Sequence, residues 1–172
     1  MSRGSESGRI TVLLAATTFA ATDLLAKAAS ETGLAASSVD LGLLQLRLAY
    51  NAGVAFGMGD TLPSALVLVL TAAVGAGIAV YGWRQAPRAS RVERLAGGAV
   101  IGGAAANVID RARDGVVTDY LHTGWWPTFN LADAFLVTGF IVLALRQTRP
   151  DRASGTPEAG TGSSSPAVVD RP

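Results

Sequence analysis

The chain has 172 residues, of which 49% are hydrophobic and only 16% charged, against about 25% charged in an ordinary soluble domain. The length and composition argue against a water-soluble globular protein, and a net charge of +1 argues against a nucleic-acid binder, which needs a basic face to neutralise phosphates. With no cysteine and one histidine, His122, there is no disulfide framework, no thiolate site and no multi-histidine zinc site. Any hydrolytic chemistry must therefore come from carboxylates, with no cofactor and no metal expected.

A helix needs about 20 mostly apolar residues to cross a bilayer, and four segments offer them. Ile10 to Ala29 is apolar apart from its threonines, Asp23 and Lys27. Arg3 and Arg9 before it, and Ala26-Lys27-Ala28 within it, give a rival reading as a cleaved signal peptide. Asp23, Lys27 and the three later spans favour a retained helix. Ser30 to Thr61 is too long for a turn. Within it Leu44, Leu46, Leu48 and Tyr50 alternate with Gln45, Arg47 and Ala49, the pattern of a half-buried strand facing inward with its leucines and Tyr50. Leu62 to Trp83 carries no basic or acidic residue and is the clearest span. Val92 to Ile109 is rich in glycine and alanine, which let helix backbones approach closely in lipid. It is expected at the packed centre, with close packing accounting for all its glycines. Asp110 to Asn130 forms a second outer segment with a β-branched run at Val116-Val117-Thr118, and Leu131 to Leu145 is the fourth span. The tail from Pro150 to Pro172 is rich in Ser, Gly, Pro and Thr and is expected to be disordered. The organisation is thus a membrane unit over residues 1–149 and a cytoplasmic tail over residues 150–172.

Orientation follows from arginine. With four spans, both termini share a side with the Arg84–Arg94 loop. That side holds ten of the fourteen basic residues, so the positive-inside rule puts the termini in the cytoplasm. Polar residues gather at the other side. Asp23 and Lys27, four apart, can pair on one helix face. Asn107 and Asp110 share a face of the third span, with Asp110 and Arg111 near its end. Asn130 fits the N-cap of the fourth helix and Asp133 its N3 position. Asp119 lies between these groups, with His122 three residues on. Two acids brought together at a partly desolvated interface cannot both ionise cheaply. Such a pair can activate water and protonate a leaving group, with Asn130 among the groups that could stabilise an oxyanion.

These residues form motifs. Asn51-Ala-Gly-Val-Ala-Phe-Gly57, Asn107-Val-Ile-Asp110-Arg111 with Gly115-Val-Val-Thr-Asp119-Tyr120, Phe129-Asn130-Leu-Ala132-Asp133, and Asp23 with Lys27 resemble, in order, the motifs of the lipoprotein signal peptidase (signal peptidase II) family. The resemblance covers about Ile10 to Arg146. It implies an all-α membrane protein: four transmembrane helices, a small extracytoplasmic β-sheet (β-cradle) and a short mobile extracytoplasmic helix. The implied activity is that of an aspartic endopeptidase cutting diacylglyceryl-modified prolipoproteins before the lipidated cysteine, at the outer face of a bacterial plasma membrane. By motif position Asp119 and Asp133 match the catalytic pair, while Asn51, Asn107, Asp110, Arg111 and Asn130 match residues that line or brace the site. Asp23 and Lys27 match its first-span pair. Prolipoprotein and membrane lipid are the expected partners, with no nucleic acid and a monomeric enzyme. Ala26 and Ala106 depart from the family's usual threonine and glycine, and the stretch between the two acid motifs looks short. Two other readings stand beside this one: a small four-span transporter or proton relay, and a non-catalytic lipopeptide-binding relative.

Overall fold

The structure is a computed structural model and describes residues 3–52 and 63–147. Four helices and a three-stranded antiparallel sheet make up the described chain: α1 (Arg3–Gly33), β1 (Val39–Asp40), β2 (Gln45–Asn51), α2 (Ser64–Gln85), α3 (Arg91–Asp114), β3 (Val117–His122) and α4 (Leu131–Gln147). The four expected spans and the small sheet are all present. The short extracytoplasmic helix does not occur among the described residues. Gly53 to Gly57 of the asparagine motif and the tail beyond residue 147 lie outside them.

Helix α3 is the centre, packing against α1, α2 and α4. Its glycines set the spacing. A Cβ on Gly98 would lie 2.5 Å from the Ala15 Cβ, and one on Gly103 would lie 2.5 Å from the Ala132 carbonyl oxygen. Gly102 likewise faces the Ala16 carbonyl. Close packing does not account for every glycine of this span, however: a Cβ on Gly97 would meet nothing within 4 Å. Because α3 is covered by protein, it need not be strongly apolar. Segments Glu6–Gly33 and Ala65–Gln85 are each long and apolar enough by themselves to cross a bilayer. The outward faces carry exposed Leu14 and Leu25 on α1, Val69 and Val74 on α2, and Ile141 and Leu145 on α4. An apolar exterior around buried charge suits a lipid solvent.

Helix α3 starts with a capping box, in which the Ser90 side chain accepts from the Glu93 N–H and the Glu93 carboxylate accepts from the Ser90 N–H. It ends at Gly115, whose φ of 77° is the left-handed cap glycine adopts without strain. The helix therefore runs past Ile109 to Asp114. Asp110 and Arg111 are helical rather than terminating, because Gly115 supplies the stop.

Strand β2 lies between β1 and β3, with Gln45 opposite His122, Ala49 opposite Asp119 and Asn51 opposite Val117. The register shifts between Leu46 and Ala49. The simple alternation expected for Leu44 to Tyr50 therefore fails at its end: an extra residue re-aims the strand, Tyr50 is 59% exposed, and Ala49 and Asn51 are the better covered positions.

Candidate active site

The C-terminal ends of α1 and α3, the start of α4 and the strands β2 and β3 bring together Asp23, Lys27, Asn51, Asn107, Asp110, Arg111, Asp119, Asn130 and Asp133. At its base is Lys27, 2% exposed. An ammonium has three N–H donors, and three acceptors surround this one: Asp23 Oδ2 at 2.9 Å, Asp110 Oδ2 at 3.2 Å and Asn107 Oδ1 at 2.7 Å. The Asp23–Lys27 pair is as their spacing predicts. The addition of Asp110 and Asn107 comes from the packing of α1 on α3. Helix α1 is thus an integral wall of the site, which is at odds with its reading as a cleaved signal peptide.

Each acid around Lys27 also holds backbone. Asp110 Oδ2 accepts from the Thr118 N–H at 2.7 Å, tying β3 to α3. Asp23 Oδ1 accepts from the Ala132 N–H at 2.9 Å and from the Tyr120 hydroxyl at 3.5 Å, while the Leu131 N–H donates to the Tyr120 oxygen at 3.3 Å. Burial and the nearby Asp23 charge raise the Tyr120 phenol well above its ordinary range. Tyr120 is a bracing residue that sequence reasoning passed over. Its place in the strand motif was visible, but its partner lies 97 residues away.

Asp119 and Asp133 reach the site from different elements. After β3 the chain turns back through Gly124, φ 87°, and Phe129 exchanges hydrogen bonds with Leu121 at 2.9 and 2.8 Å. This short hairpin returns Asn130 to the side of Asp119. The Asn130 amide donates to Asp119 Oδ1 at 2.7 Å and to the Thr118 carbonyl at 3.4 Å. Its Oδ1 accepts from the Asp133 N–H at 3.0 Å, and the Asp133 carboxylate accepts from the Asn130 N–H at 3.3 Å. That is the expected N-cap of α4. The amide is thus engaged with Asp119 and Thr118, and Asn130 links the two aspartates instead of presenting a free donor to the cavity. Asp133 Oδ1 also accepts from Asn107 Nδ2 at 2.9 Å, and the Asn51 side chain hydrogen-bonds Asp119. Arg111 Nη2 donates to the Asn51 carbonyl at 3.1 Å. His122 is two residues along β3 from Tyr120, on the opposite side of the strand from Asp119, and takes no part.

Burial drives the Asp119 carboxyl up to about 7, reinforced by the neighbouring Asp133 charge and opposed by hydrogen bonds from Asn130 and Asn51 and by Lys27. The local charge balance acts in the same direction as burial. Four acids (Asp23, Asp110, Asp119 and Asp133) face two cations, Lys27 and Arg111, so full ionisation leaves an excess of negative charge.

A cavity of about 430 Å³ opens from this cluster. Asn51, Asn107, Arg111, Asp119 and Asp133 form its polar end, and Leu70, Val74, Leu136 and Phe140 its apolar wall between α2, α3 and α4. A second acidic group, Glu31, Asp110 and Asp114, has carboxylate oxygens within 4.8 Å of one another. Its charge is already met by Lys27 on Asp110 and by Arg113 on Glu31 and Asp114 at 3.1 and 2.7 Å.

A helical membrane bundle with two aspartates, Asp119 buried and Asp133 half-buried, at the polar end of a cavity with an apolar wall has the groups that an aspartic-type endopeptidase needs. Comparison with known proteins agrees: the model of the signal peptidase (SPase) II family matches residues 15–149, and the chain belongs to that family. A lipoprotein signal peptidase of Syntrophomonas wolfei is 41% identical over 106 residues, covering 60% of this chain and 68% of that protein. One of Rhodococcus jostii is 35% identical over 151 residues, covering 80% and 72%. Two solved structures of a bacterial membrane enzyme share the fold. Their TM-scores are 0.69 and 0.68, each at 24% identity, and they cover 80% and 81% of this chain.

Proposed function

We propose that Asp119 and Asp133 are the catalytic pair with which this lipoprotein signal peptidase removes signal peptides from diacylglyceryl-modified prolipoproteins, cutting before the lipidated cysteine. The observation that carries the reading is the shared support of the two acids by Asn130, with the Asp119 carboxyl near neutrality. One member of the pair is then ionised and the other protonated at working pH. The carboxylate takes a proton from a water held between the two, and the water oxygen attacks the scissile carbonyl. The protonated carboxyl donates toward the developing oxyanion, and the amine leaves with a proton returned from the pair. Asn51, Asn107 and Arg111 line the pocket where the substrate backbone would lie, and Lys27, Asp23 and Asp110 hold the elements that carry the acids.

The apolar wall suits the acyl chains and apolar segment of a lipidated substrate. The inward orientation of the termini is supported by the arginines at the end of the bundle remote from Asp119: Arg84, Arg88, Arg91, Arg94 and Arg146. A single copy supplies every site residue named here, consistent with a monomer. A transporter or relay is less favoured, because the buried acids cluster at one end instead of stepping through the bilayer depth.

The test is cleavage of one lipidated prolipoprotein by the membrane-inserted chain and by its Asp119→Asn variant. Cleavage by the parent and none by the variant is expected. Equal cleavage would overturn the assignment. Cysteines introduced at Ser38 and Gln85 test the orientation. Only Ser38→Cys should react with an impermeant reagent added outside intact cells, and reaction of Gln85→Cys would invert the topology.

A further inference from the structure

At the end of the bundle away from Asp119, helices α2, α3 and α4 leave a second cavity of about 590 Å³, within the range of about 300–1,000 Å³ usual for small-molecule sites. Its walls are apolar, with Ile78 from α2, Val100 and Ile101 from α3, and Phe140 and Leu143 from α4. Two glycines hollow it. Gly77 and Gly97 both line the space, and a Cβ on either would meet nothing within 4 Å. They therefore differ from Gly98 and Gly103, which let helices touch.

The mouth is cationic, with Arg88 and Arg94 lining it. Arg94 Nε donates to the Ala86 carbonyl at 2.9 Å and Nη2 to the Pro87 carbonyl at 3.5 Å, which fixes the plane of its guanidinium. Helix α1 closes this side: a Cβ on Gly8 would lie 3.0 Å from Arg94 Cζ, and the Arg9 guanidinium stacks on Trp83 at 5.2 Å. Glu93, the acid lining the cavity, accepts from the Ser90 N–H at 2.6 Å and lies in the field of Arg146. Against Arg88 and Arg94 it leaves the lining with an excess of positive charge.

The geometry points to a binding site for one anionic diacyl phospholipid, its phosphate between Arg88 and Arg94 and an acyl chain in the apolar cavity bordered by α2, α3 and α4. Basic pockets between membrane helices on the cytoplasmic side suit anionic head groups. A zwitterionic lipid would fill the apolar part, but its own cation would oppose the arginines. Assignment to the inner leaflet rests on the orientation proposed above. The binding itself does not.

Native mass spectrometry of the purified full-length protein in detergent tests the site, with dioleoylphosphatidylglycerol and dioleoylphosphatidylcholine as competing probes. The parent protein should retain phosphatidylglycerol in preference. Arg88→Gln should reduce that preference about fivefold, and adding Arg94→Gln should reduce it about fivefold again, from the usual contribution of one arginine near an anionic head group. Gly97→Leu, which grows into open space, should lower retention of both lipids. Equal retention of the two lipids by the parent, or an unchanged preference in Arg88→Gln, overturns the site. Prolipoprotein cleavage measured on the same samples separates the two proposals. A parent that cleaves but shows no preference refutes only the lipid site, and a parent that shows the preference but does not cleave refutes only the catalytic reading.

Discussion

Asn130 donates its side-chain amide to the Asp119 carboxylate at 2.7 Å while its own backbone N–H donates to Asp133 at 3.3 Å. One residue thereby fixes the relative placement of both acids. Two substitutions separate its roles. Asn130→Ser keeps an N-cap oxygen for α4 but does not reach Asp119, whereas Asn130→Ala loses both, with about 1 kcal/mol of stability expected from the cap. Because the amide holds the Asp119 carboxyl down, both variants should move the alkaline limb of the pH–rate profile upward and lower kcat/KM about tenfold. An unmoved limb in both would remove Asn130 from the acid pair.

Lys27 contacts three acceptors inside the protein, so its removal leaves Asp23 and Asp110 facing each other uncompensated. Breaking a buried ion pair in this way costs about 3–5 kcal/mol. Lys27→Met should sharply reduce folded protein in the membrane, and Lys27→Met with Asp23→Asn should recover part of it. Thermal unfolding in detergent measures both. A fully stable single variant would show that the ammonium is not what balances these acids.

Arg111 is 6% exposed and reaches the Asn51 carbonyl at 3.1 Å. Arg113 is 57% exposed and pairs with Glu31 and Asp114, so it cannot take over. Arg111→Ala should lower turnover about tenfold or more, the size of a lost charged hydrogen bond, with a smaller fall in inserted protein. Equal activity at equal expression would reduce Arg111 to an interfacial anchor.

Local parts of this site were legible because helix geometry fixes them. Asp23 and Lys27 at i,i+4, and Asn130 capping the turn that carries Asp133, follow from spacing alone. What spacing could not give was the third dimension. Asp110 joins Lys27 only because the glycines at 98 and 102 bring α3 against α1. Asn51 turns toward Asp119 only because the register slips between Leu46 and Ala49, which a strict alternation cannot foresee. Gly97 reads like its neighbours in sequence, yet faces a cavity because α2 stands away from α4 at that level.

We propose that residues 150–172 take no part in the reaction, which truncation after Arg149 tests. The segment carries none of the residues assigned to the site, and its composition is that of chain without a core. Cleavage should be unchanged. A correctly inserted but inactive truncate would show that residues 150–172 act in the reaction.

Asp119 and Asp133 should behave as one catalytic unit. They are fourteen positions apart on β3 and α4 and meet through the hairpin that returns Asn130. The carboxyl of Asp119 rises from 3.8 to about 7, so between those values the folded chain holds a proton that the unfolded chain has released. Stability should therefore fall as pH rises through that window and level off above it. Asp119→Asn removes the titrating group but keeps an oxygen for the Asn130 amide. Its thermal stability relative to the parent should grow from about pH 4 to about pH 7. A gain that shrinks with pH would place the raised carboxyl elsewhere. In cleavage, Asn at either position should abolish turnover, and the double variant should lose little more, because residues acting together are non-additive. The titration observed belongs to the pair and not to one acid. Inserted protein must be quantified for each variant, since Asp133 also accepts from the Asn130 backbone at the start of α4. Substantial cleavage by either well-inserted single variant would break the dyad.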